Sequence, residues 1–224
     1  MQSSIAPPSL PSALVFLPPP PPNDPVASAD FARDWAIYQE TRRFKDTPRW
    51  AQATYDADYD NWPSWFAGVL GQPISAEKTP ATHALFKNLR SVFGEASHSA
   101  KSQYQRERPF AYAHAPGGST CTPGSELFLR TNGSYPSGHT SFGWGMALLL
   151  AEIVPQKQDA ILKRGYEFGQ SRVICGVHWQ SDVDAGRLVG AAVVAQLHNS
   201  AAFMALLAEA KKEWAPAPSS ASPS

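Results

Sequence analysis

Apolar residues recur along most of this chain at three- and four-residue intervals, the spacing that lays down one face of an α-helix. Phe31, Trp35, Tyr38 and Arg42 mark an amphipathic helix over 30–44, and shorter helices are predicted over 50–59 and 63–70. Ala81, Leu85, Leu89 and Phe93, four apart, place another over 75–94. The strongest patterns cover 140–154, 158–174 and 181–197, and a last helix is predicted over 202–214. No segment alternates apolar and polar residues over five positions with β-branched enrichment, so no sheet is predicted. The expected class is all-α, a helix bundle in a single domain.

The ends differ from this body. Residues 1–25 hold nine of the 21 prolines, including the run Pro18 to Pro22. Such a run lacks N–H donors and has its φ fixed, so it forms neither helix nor paired strand. An extended Pro-rich arm is expected over 1–28, resting on the body through Leu14, Val15, Phe16 and Leu17. That apolar tetrad is too short for a signal-peptide core, and no Lys or Arg precedes it. The helical body then spans 29–214. Residues 215–224 contain only Ala, Pro and Ser and are expected to be a disordered tail. The Gly-, Ser-, Thr- and Pro-rich stretch 116–135 reads as a long loop, a length usually reserved for function.

Charge changes the picture by exclusion. Lys plus Arg and Asp plus Glu each number 19, so the net charge is zero and neither nucleic acid nor an acidic membrane surface is indicated as main partner. The longest apolar stretch, 142–151, is about half of what a membrane span needs. No membrane span is expected. Two cysteines, Cys121 and Cys175, leave one bridge and two free thiols both open.

Three clusters carry candidate chemistry. The first runs from Lys101 to Pro109 and holds Lys101, Arg106 and Arg108, with Glu107 able to pair with either arginine. The second is Gly133-Ser134-Tyr135-Pro136-Ser137-Gly138-His139-Thr140, where the loop meets an apolar helix. Ser137 is a natural N-cap, Gly138 lets an anion approach the backbone, and the helix start supplies free N–H groups and a favourable dipole. The third contains Ser171, Arg172, Gly176, His178 and Asp182. On a helix His178 and Asp182 would share a face, and the carboxylate would fix the imidazole tautomer; Gly176 marks a break that lets Arg172 and His178 converge. Trp179, beside His178, is open as a lining residue or core. Neither His139 nor His178 has the His or Cys partner of a common zinc site, so no metal is expected. Cations, helix amides, two histidines and an orienting carboxylate together suit a phosphoryl group, whose transfer is mainly positioning and charge stabilisation.

The order and spacing of these clusters resemble the three-part signature of the phosphatidic-acid-phosphatase type 2 superfamily, shared with vanadium-dependent haloperoxidases. The octapeptide around His139 and the segment 162–184 are similar to the bacterial class A non-specific acid phosphatases. The resemblance covers about 17–214. It implies a helix bundle with the site at one end, and a phosphatase of broad range that needs no metal or other cofactor. It implies His178 as the nucleophile of a phosphohistidine intermediate, Asp182 as its orienting partner and His139 as the acid and then base. Lys101, Arg108, Arg172, Ser137 and Gly138 would bind the phosphoryl oxygens. Substrates would be small phosphate monoesters, with phosphate and vanadate as inhibitors and phosphoryl transfer to alcohols as a second outcome.

Class A members are secreted to the periplasm, which implies a chain whose signal peptide has been removed, and a dimer or higher oligomer is compatible with the family. A Cys121–Cys175 bridge would fit that compartment and pin the long loop near the site, contributing roughly 4 kcal/mol on a chain-entropy view. The alternatives are a vanadate-dependent haloperoxidase, identified by halide oxidation with peroxide, and a phosphate-binding protein without turnover.

Overall fold

The computed structural model describes residues 9–215, and among them the regular structure is entirely helical. A single helical turn, α1 (Ala13–Phe16), comes first. It buries Ala13 and Leu17 in the core while Leu14, Val15 and Phe16 face outward. The arm expected to be extended throughout is therefore helical for one turn, which brings Ala13 and Leu17 one above the other on the buried side, and of the expected contact tetrad only Leu17 is buried. The run Pro18 to Pro22 has no regular structure, and the Tyr135 hydroxyl donates to the Pro18 carbonyl at 2.7 Å. The tail expected over 215–224 lies, beyond Ala215, outside the described residues.

Next come α2 (Ala29–Thr41), capped by Ser28 and continued by a 3-10 turn at Arg42–Phe44, and α3 (Pro48–Ala57), capped by Thr47. The helix expected over 63–70 is split into a 3-10 helix, Tyr59–Ser64, and the short α4 (Ala67–Leu70), since Pro63 cannot donate to a regular α ladder. Helix α5 (Pro80–Tyr104) starts later and runs ten residues further than the expected 94. Residues 75–79 instead wind into a turn in which Ser75 N donates to Thr79 Oγ1 at 2.9 Å, and Pro80 takes the first helical position, where no N–H is needed. Ala96 and Ala100 continue its buried stripe and carry Lys101 onto its last turn.

After α6 (Pro109–Tyr112) the long loop includes a 3-10 turn and a short helix, α7 (Glu126–Thr131). Four helices complete the body: α8 (Gly138–Ile153), α9 (Gln158–Ile174), α10 (Gln180–Leu197) and α11 (Ala201–Glu213). No single one of the described helices is long and apolar enough to cross a membrane; α10 and α11 pass that test only as a pair, and they are bent by 100°.

Helix α8 is the central element, packed between α9 and α10 and against α5. Phe142, Met146 and Leu150 from α8 meet Phe93 of α5, Phe168 of α9 and Val189 of α10 in one core. Each such side chain contributes about 1.5–3 kcal/mol by burial. Helices α8 and α10 touch through backbone: a Cβ at Gly186 or Gly190 would lie 2.6 Å from the Ser137 or the Ser141 carbonyl oxygen. This close approach sets the start of α10 against the start of α8, where Ser137 N donates to the Asp182 carbonyl at 2.9 Å. Cys121 and Cys175 are bonded, joining the long loop to the end of α9.

Candidate active site

The last turns of α5 and α9 and the first turns of α8 and α10 converge on His178. Helix α9 stops because the Arg42 guanidinium takes its terminal carbonyls, Nη2 donating to Val173 O at 2.9 Å and Ile174 O at 2.8 Å. The chain then turns at Gly176, with φ +84°, where a Cβ would sit 2.5 Å from Arg42 Nη1. His178 follows in the turn rather than on a helix. Asp182 stands in the first turn of α10 and accepts from Trp179 N at 2.8 Å, closing the helix start. The pair expected on one helical face is thus brought together across a helix N-terminus, with His178 Nδ1 3.3 Å from Asp182 Oδ2.

The partners fix the tautomer. Arg108 Nη1 lies 3.1 Å from His178 Nε2, and a guanidinium only donates, so Nε2 accepts and the proton sits on Nδ1, facing Asp182. The Ser134 hydroxyl makes a short bond to Asp182 Oδ2. Asp182 Oδ1 accepts from Arg106 Nη1 at 2.7 Å, and Arg106 Nη2 donates to Asp34 Oδ2 at 2.9 Å. Asp34 also accepts from Ser181 N at 2.8 Å. Burial alone would raise the Asp182 carboxyl, but the Arg106 charge and the bonds from His178 and Ser134 hold it well below the usual range. Burial, then the charge of Arg108, pushes His178 well below an ordinary histidine despite Asp182.

Glu107 makes no ion pair among the described residues, because Arg106 and Arg108 both turn inward. Trp179 is buried rather than lining the site: it packs on Phe31, Trp35, Tyr38 and Tyr112, and its Nε1 donates to the Glu107 carbonyl at 2.8 Å.

Arg108 and Lys101 act on His178, and Arg172 on them and on His139. Arg108 is held by carbonyls, its Nε donating to Leu129 O at 2.9 Å and Asn132 O at 3.0 Å, and its Nη1 to Val177 O at 2.9 Å. Lys101 Nζ donates to Gly133 O at 2.8 Å. Arg172 is buried, and its Nε and Nη1 have no hydrogen-bond partner. Orphaned buried donors of this kind cost about 1–3 kcal/mol each, and an anion would satisfy them. Burial lowers Arg172 and Arg108 to about 10, and burial followed by the charges of Arg108 and Arg172 pushes Lys101 well down.

His139, in the first turn of α8, points Nε2 at the Ala57 carbonyl, 2.9 Å away, and lies against the Tyr59 ring. A carbonyl only accepts, so Nε2 carries the proton and Nδ1 is the nitrogen left to exchange one. Burial, then Arg172, pushes His139 well below its ordinary value. Ser137 is the N-cap of α8, its Oγ accepting from Thr140 N at 3.3 Å and Thr140 Oγ1 at 2.9 Å. The Gly138 amide, at the first helical position, has no acceptor within the helix. Ala57 and Tyr59 also line a cleft of about 720 Å³ that extends past Tyr55, Asn61, Arg90 and Thr122. Among the described residues no cluster of three His, Cys, Asp or Glu side chains is placed to hold a metal ion.

Lys101, Arg108, Ser137, Gly138, His139, Arg172, His178 and Asp182 lie at this convergence, whereas Trp179 and the Glu107 side chain do not. Sequence reasoning missed Asp34, Ser134 and Ser181 and left Arg106 without a role. Ser134 stood inside the second cluster, but nothing in the sequence linked Asp34 to it.

A helical bundle with this constellation defines a class, and the comparisons agree: residues 79–204 match the PAP2 superfamily, to which the chain belongs. The non-specific acid phosphatase of Providencia stuartii is 47% identical over 206 residues, covering 91% of this chain and 81% of that protein. The non-specific acid phosphatase of Salmonella typhimurium is 47% identical over 201 residues, covering 88% and 78%. In fold the chain is similar to a transmembrane PAP2-type phosphatidylglycerolphosphate phosphatase from Bacillus subtilis, with a TM-score of 0.50 and 18% identity over 84% of this chain and 89% of that one.

Proposed function

We propose that this chain is an acid phosphatase that hydrolyses phosphate monoesters through a phosphohistidine on His178. The observation that carries the reading is the fixed tautomer of His178, whose Nε2 lone pair faces the anion-binding cations while Asp182 holds the opposite N–H. Nε2 attacks phosphorus, the bond to the ester oxygen breaks, and His139 gives the leaving oxygen a proton from Nδ1. Asp182 stabilises the charge that develops on the His178 ring. Water then attacks the phosphoryl group as His139 Nδ1 takes its proton, and the P–N bond breaks to release phosphate. An alcohol in place of water gives phosphoryl transfer.

Lys101, Arg108 and Arg172, with the Gly138 amide and the Ser137 hydroxyl, are assigned to the non-bridging oxygens. Loss of one such contact costs about 2–4 kcal/mol of barrier, by analogy with oxyanion donors. Activity at acid pH is expected from electrostatics. Burial and the cations disfavour the charged form of both histidines; an arriving phosphate offsets the cations and raises His139 toward its protonated form, while His178, bonded by Arg108 at Nε2, enters neutral. The disulfide fits an oxidising compartment, and a periplasmic location is part of this proposal.

Hydrolysis of a chromogenic monoester from acid to alkaline pH, with a chelator present and vanadate titrated in, tests the reading. The expected result is acid activity that survives the chelator and falls with vanadate. Absence of release at every pH would overturn it.

A further inference from the structure

The imidazole of His139 lies tilted against the Tyr59 ring, a contact without a part in the proposed reaction. Its centroid is 3.9 Å from that of the Tyr59 ring, at an interplanar angle of 35°. The Arg90 guanidinium carbon lies 4.3 Å from the same ring centre. Two planar groups so near one centroid occupy opposite faces, since one face cannot accommodate both. Tyr59 therefore separates His139, inside the site, from Arg90, which stands exposed on α5 at the rim of the cleft.

The surroundings of His139 are otherwise hostile to a proton. The charged groups acting on it most are Arg172 from α9 and Arg108 from the start of α6, and His178 faces it from the turn before α10; beyond Tyr59, Arg90 shares the cleft with Asp58 and Asp60. On the other side are the Ala57 carbonyl at the end of α3 and the π face of Tyr59. An aromatic face attracts a cation, and more strongly where water is excluded. Burial pushes the Tyr59 hydroxyl up to about 12, so Tyr59 does not itself ionise where an acid phosphatase works.

We infer that Tyr59 is a positioning residue for His139, orienting its ring and favouring its protonated form through the π face, and that Arg90 weakens this effect from the opposite face. The inference rests on His139 being the general acid of the proposed reaction. Tyr59 holds the imidazole edge toward Ala57 and thereby aims Nδ1 at the leaving oxygen. Arg90 competes for the same ring electrons and adds a like charge one ring away.

The test is kcat against pH with an alkyl phosphate, whose poor leaving group needs the acid, for the intact chain and for Tyr59→Phe, Tyr59→Leu and Arg90→Gln. Activity is lost as pH rises through the His139 value in the complex. Tyr59→Phe keeps the π face and is expected to leave that alkaline limb in place. Tyr59→Leu is expected to move it to lower pH by about half a unit or more. Arg90→Gln is expected to move it the other way, by less, with the shift fading at high salt because Arg90 is exposed.

A limb that stays put or rises in Tyr59→Leu overturns the inference, as does an unmoved limb in Arg90→Gln at low salt; the surface variant keeps the test open if Tyr59→Leu does not fold. His139→Ala separates the two levels. If it hydrolyses alkyl phosphate at the intact rate, the general-acid reading fails and the inference with it. If it loses alkyl phosphate but keeps the initial burst of dinitrophenolate from dinitrophenyl phosphate, the step that needs no acid, while the Tyr59→Leu limb is unmoved, the positioning inference alone fails.

Discussion

Arg106 and Arg108 are two residues apart and do opposite things. Arg108 reaches the nucleophile candidate, whereas Arg106 is buried between Asp34 and Asp182. Removing one partner of such a group strands the others without compensation. Arg106→Gln is expected to lower unfolding stability by about 3–5 kcal/mol, read by urea denaturation. Asp182→Asn can no longer stabilise a charged His178 ring and offers Nδ1 an ambiguous partner. Its kcat is expected to fall by about 10⁴, by analogy with the same change in a serine-protease triad; near-normal turnover would remove the orienting role. At this scale the sequence was legible where chemistry sits in short segments, as with Lys101 and Arg108, Ser137 to His139, and Arg172 to Asp182. Asp34, Ser134 and Ser181 were not, because Ser134 reaches Asp182, and Asp34 reaches Arg106 and Ser181, only through the packing of the loop and α2 against α10. The orientation of Trp179 was likewise a tertiary fact, decided by an aromatic cluster drawn from α2 and α6.

Elements carry the site by their ends. The span 158–174 matches its expected bounds because Pro155 breaks the chain before it and Gly176 turns it just after. The long helix was placed too early because its amphipathic stripe weakens to alanines past Phe93, yet those alanines carry Lys101 to the site. The long loop looked featureless in composition, but α7 and its cap supply the carbonyls that hold Arg108. Its tether, the Cys121–Cys175 bridge, spans a sequence separation of 54. Replacing both cysteines with serine is expected to lower stability by about 4 kcal/mol and to raise KM as the Arg108 cradle loosens; denaturation and steady-state kinetics read the two effects separately. In Gly190→Ala, the added methyl meets the Ser141 carbonyl and forces α10 away from α8. A loss of about 1–3 kcal/mol is expected, measured by thermal or urea unfolding.

For the molecule as a whole, the site's electrostatics oppose its own stability in acid. His139 and His178 are held neutral in the fold, below the ordinary value near 6.5. Below that pH the unfolded chain binds protons that the folded chain does not, so stability is lost as pH falls, by at most about 1.4 kcal/mol per unit for each histidine. Asp182, held low, adds stability above about pH 4 that disappears on further acidification. The unfolding temperature without ligand is expected to drop between pH 7.5 and 5. Phosphate should restore much of it, by binding the folded state and by raising His139. A flat profile would contradict the burial of both imidazoles in neutral form.

The most direct measurement is a rapid alkaline quench during turnover of a phosphate monoester, followed by peptide mapping for acid-labile, base-stable phosphate. The expected result is phosphohistidine at residue 178, absent in His178→Ala. Turnover without any phosphorylated protein, or phosphate mapped to His139, would contradict the assignment of His178 as nucleophile.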